Sequence, residues 1–391
     1  MQQIILYDEP ERRANLLPLT YTRPVAALRV GIDTLAEKWA RLAGAQCHYI
    51  TGVDYLDDIF GDTDEALLAS ADTLHVKSDI IADGALAEAL TALKSGESLA
   101  DSEGTEIGHR GPTVATTKTY GGTVRRLTHL YDIFLLNGEC IEDDIADITA
   151  GRKSMPLSPT NTVIGDPAKV FVEEGADVEG AFINTRGGAV YIGREAMVME
   201  GSMLRGPLAL CEHSTVNMGT KIYGATTIGP HCKVGGELNN VVMLAYSNKA
   251  HDGFLGNAVI GEWCNLGAGC VASNLKNDYT PIKLWNYPAA RFLKTGLQFC
   301  GLIMGDHSKA GINTMFNTAT VVGVGVNIHG SGFPRNFVAS FSEGSTAGYT
   351  EVSMTKFFEI ASRMMGRRDK ELTEADKRMF YAIRAAAEAY K

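Results

Sequence analysis

The stretch VYIGREAMVMEGSMLRGPLALCEHSTVNMGTKIYGATTIGPHCKVGG, residues 190–236, carries an aliphatic side chain at every sixth position: Ile192, Val198, Leu204, Leu210, Val216, Ile222, Ile228 and Val234. A period of six fits neither a helix nor one long strand. It fits a three-sided coil in which each hexad forms one flat side and turns a corner. The aliphatic anchor packs inside the narrow prism. Four residues on, a small side chain fills the remaining space: Ala196, Ser202, Ser214, Thr220, Thr226 and Cys232. Such coils bury their apolar edge only by stacking on one another.

The beat extends both ways. Upstream it reaches Val172 and Val178 after a two-residue slip. Downstream, after a second slip, it is read at Val242, Phe254, Ile260 and Leu266, with Asn248 the one break. Residues 273–302 lose the register and read as an excursion, such as a hairpin arm. Hexads return at Met304, Ala310, Phe316, Val322 and Ile328. Residues 163–335 are therefore expected to form a left-handed parallel β-helix.

Residues 1–150 read differently. Short apolar strands near Ile4, Cys47 and Thr73 alternate with helical spacing over residues 30–42 and 85–93, which predicts an α/β, Rossmann-like sheet with parallel strands. Residues 151–162, with two prolines and no periodicity, read as a linker. Residues 350–391 read as a helical tail: Thr373 and Asp376 make a capping-box start, and Met379, Ile383 and Ala387 form its apolar stripe. That tail is expected to cap the prism or to pack on a neighbouring subunit.

The 391 residues carry a formal net charge of −10, which argues against a nucleic-acid partner. No run approaches the length of a membrane span, and the opening MQQIILYDEP lacks the basic region and apolar core of a secretory signal. Seven cysteines without a C-x-x-C pair read as reduced thiols, so a cytoplasmic location is expected.

Counting three hexads per coil places His213, His231 and His251 in one outward row, one coil apart at about 4.8 Å. A histidine there could serve as a general base. Outward positions also tolerate any polar residue, and imidazoles in a flat row do not converge as zinc requires.

One segment is more specific. Residues 247–277, SNKAHDGFLGNAVIGEWCNLGAGCVASNLKN, contain Lys249-Ala250-His251, Phe254-Leu255-Gly256, Asn265-Leu266-Gly267-Ala268-Gly269 and Asn274. This resembles the acetyltransferase half of the GlmU-like bifunctional family, which makes UDP-N-acetylglucosamine. The resemblance implies a homotrimer with an acyl-CoA site between neighbouring prisms. It makes His251 the base that deprotonates glucosamine 1-phosphate. It also makes Lys249, Asn265, Gly267, Ala268 and Asn274 the lining of a pocket for the sugar phosphate and acetyl-CoA, with backbone N–H groups of 267–269 near the thioester oxygen. The family's tyrosine is replaced here by Phe254.

Near the front, Leu17-Pro18-Leu19-Thr20 followed by Arg23-Pro24 resembles the signature of sugar-phosphate nucleotidyltransferases. The family's Gly-rich loop is absent; Tyr7 to Asn15 reads YDEPERRAN. The resemblance implies UTP binding through Arg12, Arg13, Thr20 and Arg23, and Mg²⁺ held at Asp79. Three functions stay open at this point: acetyl transfer with or without uridylyl transfer, nucleotidyl transfer alone on a structural β-helix, and a catalytically silent nucleotide-sugar-binding protein.

Overall fold

The computed structural model describes residues 2–391. The front domain is built on a six-stranded sheet in the order Ala45–Ile50, Gln2–Tyr7, Leu74–Lys77, Glu106–Arg110, Glu97–Ala100, Thr116–Thr119. The first three strands are parallel, as expected. Glu106–Arg110 is not: it runs antiparallel to both of its neighbours. Its connection from Glu97–Ala100 is a tight turn in which the Asp101 carboxylate accepts the N–H groups of Glu103 and Thr105. So short a link permits only a hairpin, because a parallel pair needs a crossover.

The helix expected over 30–42 starts later, at Leu35, and ends at Ala43. Thr34 caps it and Glu37 reciprocates, so the capping box sets the first turn. The preceding residues wrap under the helix Asp132–Thr149, which the periodicity did not reveal. Gly31 sits there at φ 80°, and a Cβ on it would meet Asp144 and Cys140.

The second half is a left-handed parallel β-helix. Its interior is one column of buried side chains that includes Val172, Val178, Ile192, Val198, Leu204, Leu210, Val216, Ile222, Ile228 and Val234. One face stacks the strands Asp177–Val178, Met197–Val198, Thr215–Val216, Lys233–Val234, Asn248–Lys249, Asn265–Leu266, Lys309–Ala310 and Asn327–Ile328. A second face, with Leu208–Leu210 and Thr226–Ile228, receives the helix Asp132–Thr149. There Asn137 donates to the Ala225 carbonyl and accepts from the Thr227 hydroxyl. The third face, with Phe182–Asn184, Met203–Arg205 and Lys221–Tyr223, carries neither the front domain nor the tail.

The register corrects the sequence reading at the second slip. A regular coil takes eighteen residues, pairing Val216 with Val234. The next takes fifteen, pairing Ile228 with Met243 and Val234 with Lys249. Met243, Lys249 and Leu255 therefore occupy the interior, while Val242 faces the front domain and Phe254 turns outward to half-exposure. The same shortening breaks the expected histidine row. His213 and His231 do stack, with centroids 4.7 Å apart, but the third place is taken by Tyr246 and the fourth by Trp263. His251 lies at the next corner.

Residues 273–302 do form a hairpin, Lys283–Asn286 against Arg291–Lys294. It folds back rather than projecting. Trp285 stacks on Phe337 at 4.0 Å, and Tyr287 meets Tyr21 at 5.8 Å and Tyr390 at 4.9 Å. The tail is helical, Met354–Gly366 and Glu374–Ala387, the second opened by the Thr373–Asp376 capping box. It does not cap the prism end. A hairpin, Ser342–Ser345 with Gly348–Glu351, follows the last coil, and the helices return along the flank to the front domain, where Arg378 pairs with Asp58. No helix among the described residues is long and apolar enough to cross a membrane.

Candidate active site

His251 is exposed at the corner that joins the Asn248–Lys249 strand to the third face. Gly253, two residues on, makes this corner close: a Cβ there would lie 2.0 Å from the Cys270 carbonyl oxygen of the following coil. The corner is also braced from inside. Lys249, expected to line a ligand pocket, is fully buried in the prism, and its Nζ donates to the carbonyls of Gly235, at 3.0 Å, and of His251. Burial lowers its pKa from the lysine range to about 8, against the opposing pull of Cys270 and Asp252. Lys249 therefore cannot touch a ligand outside the prism; it positions the backbone that carries His251.

Asn265 is exposed on the face bearing Asn248 and Lys309. The backbone N–H of Gly267 is used by the Ala310 carbonyl and that of Gly269 by the Asp252 carbonyl, so neither is free for a thioester oxygen. Ala268 is half-buried, and its carbonyl accepts the Asn313 N–H. Asn274 stands at the far edge of the third face, where its amide donates to Asn257 at 2.8 Å. Within one chain, then, His251 and Asn274 flank the same face from opposite corners and do not converge.

The front-domain candidates are structural. Arg13 is buried, donating to Asp8 at 3.2 Å, to the Arg23 carbonyl at 3.0 Å and to the Thr20 carbonyl. Thr20 is fully buried and returns its hydroxyl to the Arg13 carbonyl at 2.7 Å. Arg23 is locked onto Asp306 of the β-helix at 2.5 and 3.2 Å, with Glu262 at 3.4 Å. None of the three faces a nucleotide. The sequence reading missed Asp306 and Glu262, because neither lies in a motif and each gains meaning only from the arginine across the interface.

Asp79 does not fit Mg²⁺. Its carboxylate is buried, lies 2.9 Å from Arg12 Nε and 3.9 Å from Arg126, and is thereby neutralised. Desolvation still raises its pKa. No group of three or more His, Cys, Asp or Glu that could hold a metal occurs among the described residues.

Residues 4–153 match the family model described as sugar nucleotidyl transferase. The bifunctional protein GlmU of Methanocaldococcus jannaschii is 30% identical over 118 residues, 30% of this chain and 26% of that protein. The GlmU of Trichodesmium erythraeum is 30% identical over 107 residues, 27% of this chain and 19% of that protein. The chain thus spans about a quarter or less of the length of these curated relatives. A solved Arabidopsis UDP-N-acetylglucosamine acyltransferase aligns over 55% of this chain and 80% of its own at 15% identity, with a TM-score of 0.24. By these matches residues 4–153 are similar to the sugar nucleotidyl transferase family, and the chain is similar to the GlmU-like bifunctional proteins.

Proposed function

We propose that this protein is a transferase whose β-helix moves an acetyl group from acetyl-CoA to the amine of an amino-sugar 1-phosphate, glucosamine 1-phosphate, with His251 as the base. The observation that carries the reading is the exposed imidazole at a corner of the one prism face left open by both the front domain and the tail. A histidine exchanges protons near neutrality. His251 would take the proton of the substrate ammonium, freeing the nitrogen lone pair to attack the thioester carbon. It would return that proton to the departing thiolate.

The open face also supports a homotrimer. Phe182 is 47% exposed and Met203 53%, side by side, with Phe254 and Val271 further along the same column beyond Lys221 and Glu237. Apolar patches of this kind mark interaction surfaces. A second copy laid on this face would bring its Asn274 edge toward the first copy's His251, completing a cleft for acetyl-CoA that one chain lacks. The seven free thiols support a cytoplasmic setting.

Uridylyl transfer from UTP at the front domain is the second reading, favoured by the family match of residues 4–153 and opposed by the burial of Arg13, Thr20 and Arg23. Thiol release from acetyl-CoA in the presence of glucosamine 1-phosphate tests the first reading: wild type turns over and His251→Ala does not. Equal release by both proteins overturns it. UTP-dependent pyrophosphate release by the wild-type protein with a sugar 1-phosphate tests the second, and its absence removes it.

A further inference from the structure

The helix Met354–Gly366 lies over the outward side chains of one prism face, and the two enclose a continuous groove. Its two parts have volumes of about 230 and 390 Å³ and share Asn248, Asn265, Met364 and Arg367. The charge in this groove is one-sided. Lys233 and Lys309 project from the prism, Arg363, Arg367 and Arg368 from the helix end, and no acidic side chain lines either part. This stands out in a chain of net charge −10. Among the described residues, the half-buried Lys233 and Arg368 and the exposed Arg367 have no acidic partner, whereas the buried cations Arg13, Arg23 and Lys38 are each paired.

Two further features point to a ligand rather than to a solvated basic surface. The side-chain oxygen of Asn248 is buried without a hydrogen-bond partner, a costly arrangement for a polar atom. Beside it, Tyr246 and Trp263, stacked at 4.3 Å, line the same groove as Met364. Cations for an oligophosphate, a carbonyl oxygen awaiting a hydroxyl or amino donor, and an apolar wall together describe one kind of molecule.

We infer that the groove under the tail helix binds a nucleoside diphosphate, with the phosphates on Lys233, Arg367 and Arg368 and the organic portion between Asn248 and the Trp263 wall. The site does not depend on His251 acting as a base, and no family motif contributes its arginines.

Calorimetric titration of the full-length protein with inorganic pyrophosphate, ADP and adenosine tests this. Wild type is expected to bind ADP and, less tightly, pyrophosphate at one site per chain, both more weakly as salt is raised, and adenosine hardly at all. Arg367→Gln with Arg368→Gln should weaken both phosphates tenfold or more with the melting temperature unchanged, and Lys233→Glu should act in the same direction. Asn248→Leu should remove the advantage of ADP over pyrophosphate. His251→Ala should bind as wild type does, so failure of the acetyl-transfer reading leaves this result standing. Absence of binding to wild type, undiminished binding by the double variant, adenosine binding as tightly as ADP, or loss of binding in Arg12→Gln instead would each overturn the inference.

Discussion

Lys249 reaches along the inside of the prism and donates its Nζ to the carbonyl oxygen of His251, two residues ahead on the outside. An interior lysine thus holds the corner on which the exposed imidazole stands. Every neighbouring coil puts an aliphatic or small residue in its place, Val234 before it and Leu266 after it.

That lysine makes stability depend on alkaline pH. Its folded pKa, about 8, lies below the unfolded value near 10.4, so between these values the unfolded chain binds more protons. Stability therefore rises as pH climbs from about 8 towards 10.4, and the contribution below that window is unfavourable by on the order of 3 kcal/mol. Denaturant melts at pH 7.5 and 10 should show this rise in wild type and lose it in Lys249→Met. A slope that survives the substitution refutes the account.

Asp306 should be costly to remove. It holds Arg23 across the domain interface and also accepts the Glu262 N–H at 2.9 Å and the Thr22 hydroxyl at 2.8 Å. Asp306→Ala leaves a buried guanidinium with only the half-exposed Glu262, a loss of about 3–5 kcal/mol for a broken buried pair. Asp306→Leu combined with Arg23→Met should regain much of it in chemical denaturation.

Acid should loosen the same seam. His307 is buried among Trp263, Phe357 and Phe380, and its Nδ1 has no partner. Burial, then the Lys309 and Arg23 cations, push its pKa well below the usual imidazole value. The neutral form is required by the fold, so its stabilisation is present above about pH 6.5 and is lost as pH falls. His307→Phe should flatten the acid limb of the melting-temperature profile. Phe341, at φ 56° two column positions further on, beyond Gly325, indicates that this corner accepts the ring.

The open face offers a test of assembly. Phe182→Asp with Met203→Asp places two carboxylates on the exposed apolar pair at the start of this face without touching the interior. Light scattering should report a trimer for wild type and a monomer for the variant, with thiol release falling alongside. A monomeric wild type that still releases thiol would remove the shared cleft.

The β-helix was legible because each anchor faces the same dry interior, so a six-residue beat must persist wherever the coil is regular. It failed at residues 234–249, where a shortened coil moved Met243 and Lys249 inward; a lysine in a core position reads as a gap in a hydrophobic pattern. The helix Asp132–Thr149 escaped for the same reason. Its buried stripe includes Asn137 and Asp144, which are satisfied by Gly31, Ile32 and Lys38 from far along the chain. Arg13, Thr20 and Arg23 matched a motif by type, yet the helix Pro10–Asn15, standing where the family has a glycine-rich loop, turned them inward.

The returning tail has a mechanical corollary. The front domain is joined to the β-helix by Asn137 and Arg23, to the hairpin by Asn286 on Asn15, and to the final helix by Arg378 on Asp58. A protease nick in residues 150–160 would sever only the covalent thread. The two fragments should still co-elute on gel filtration and melt as one cooperative body.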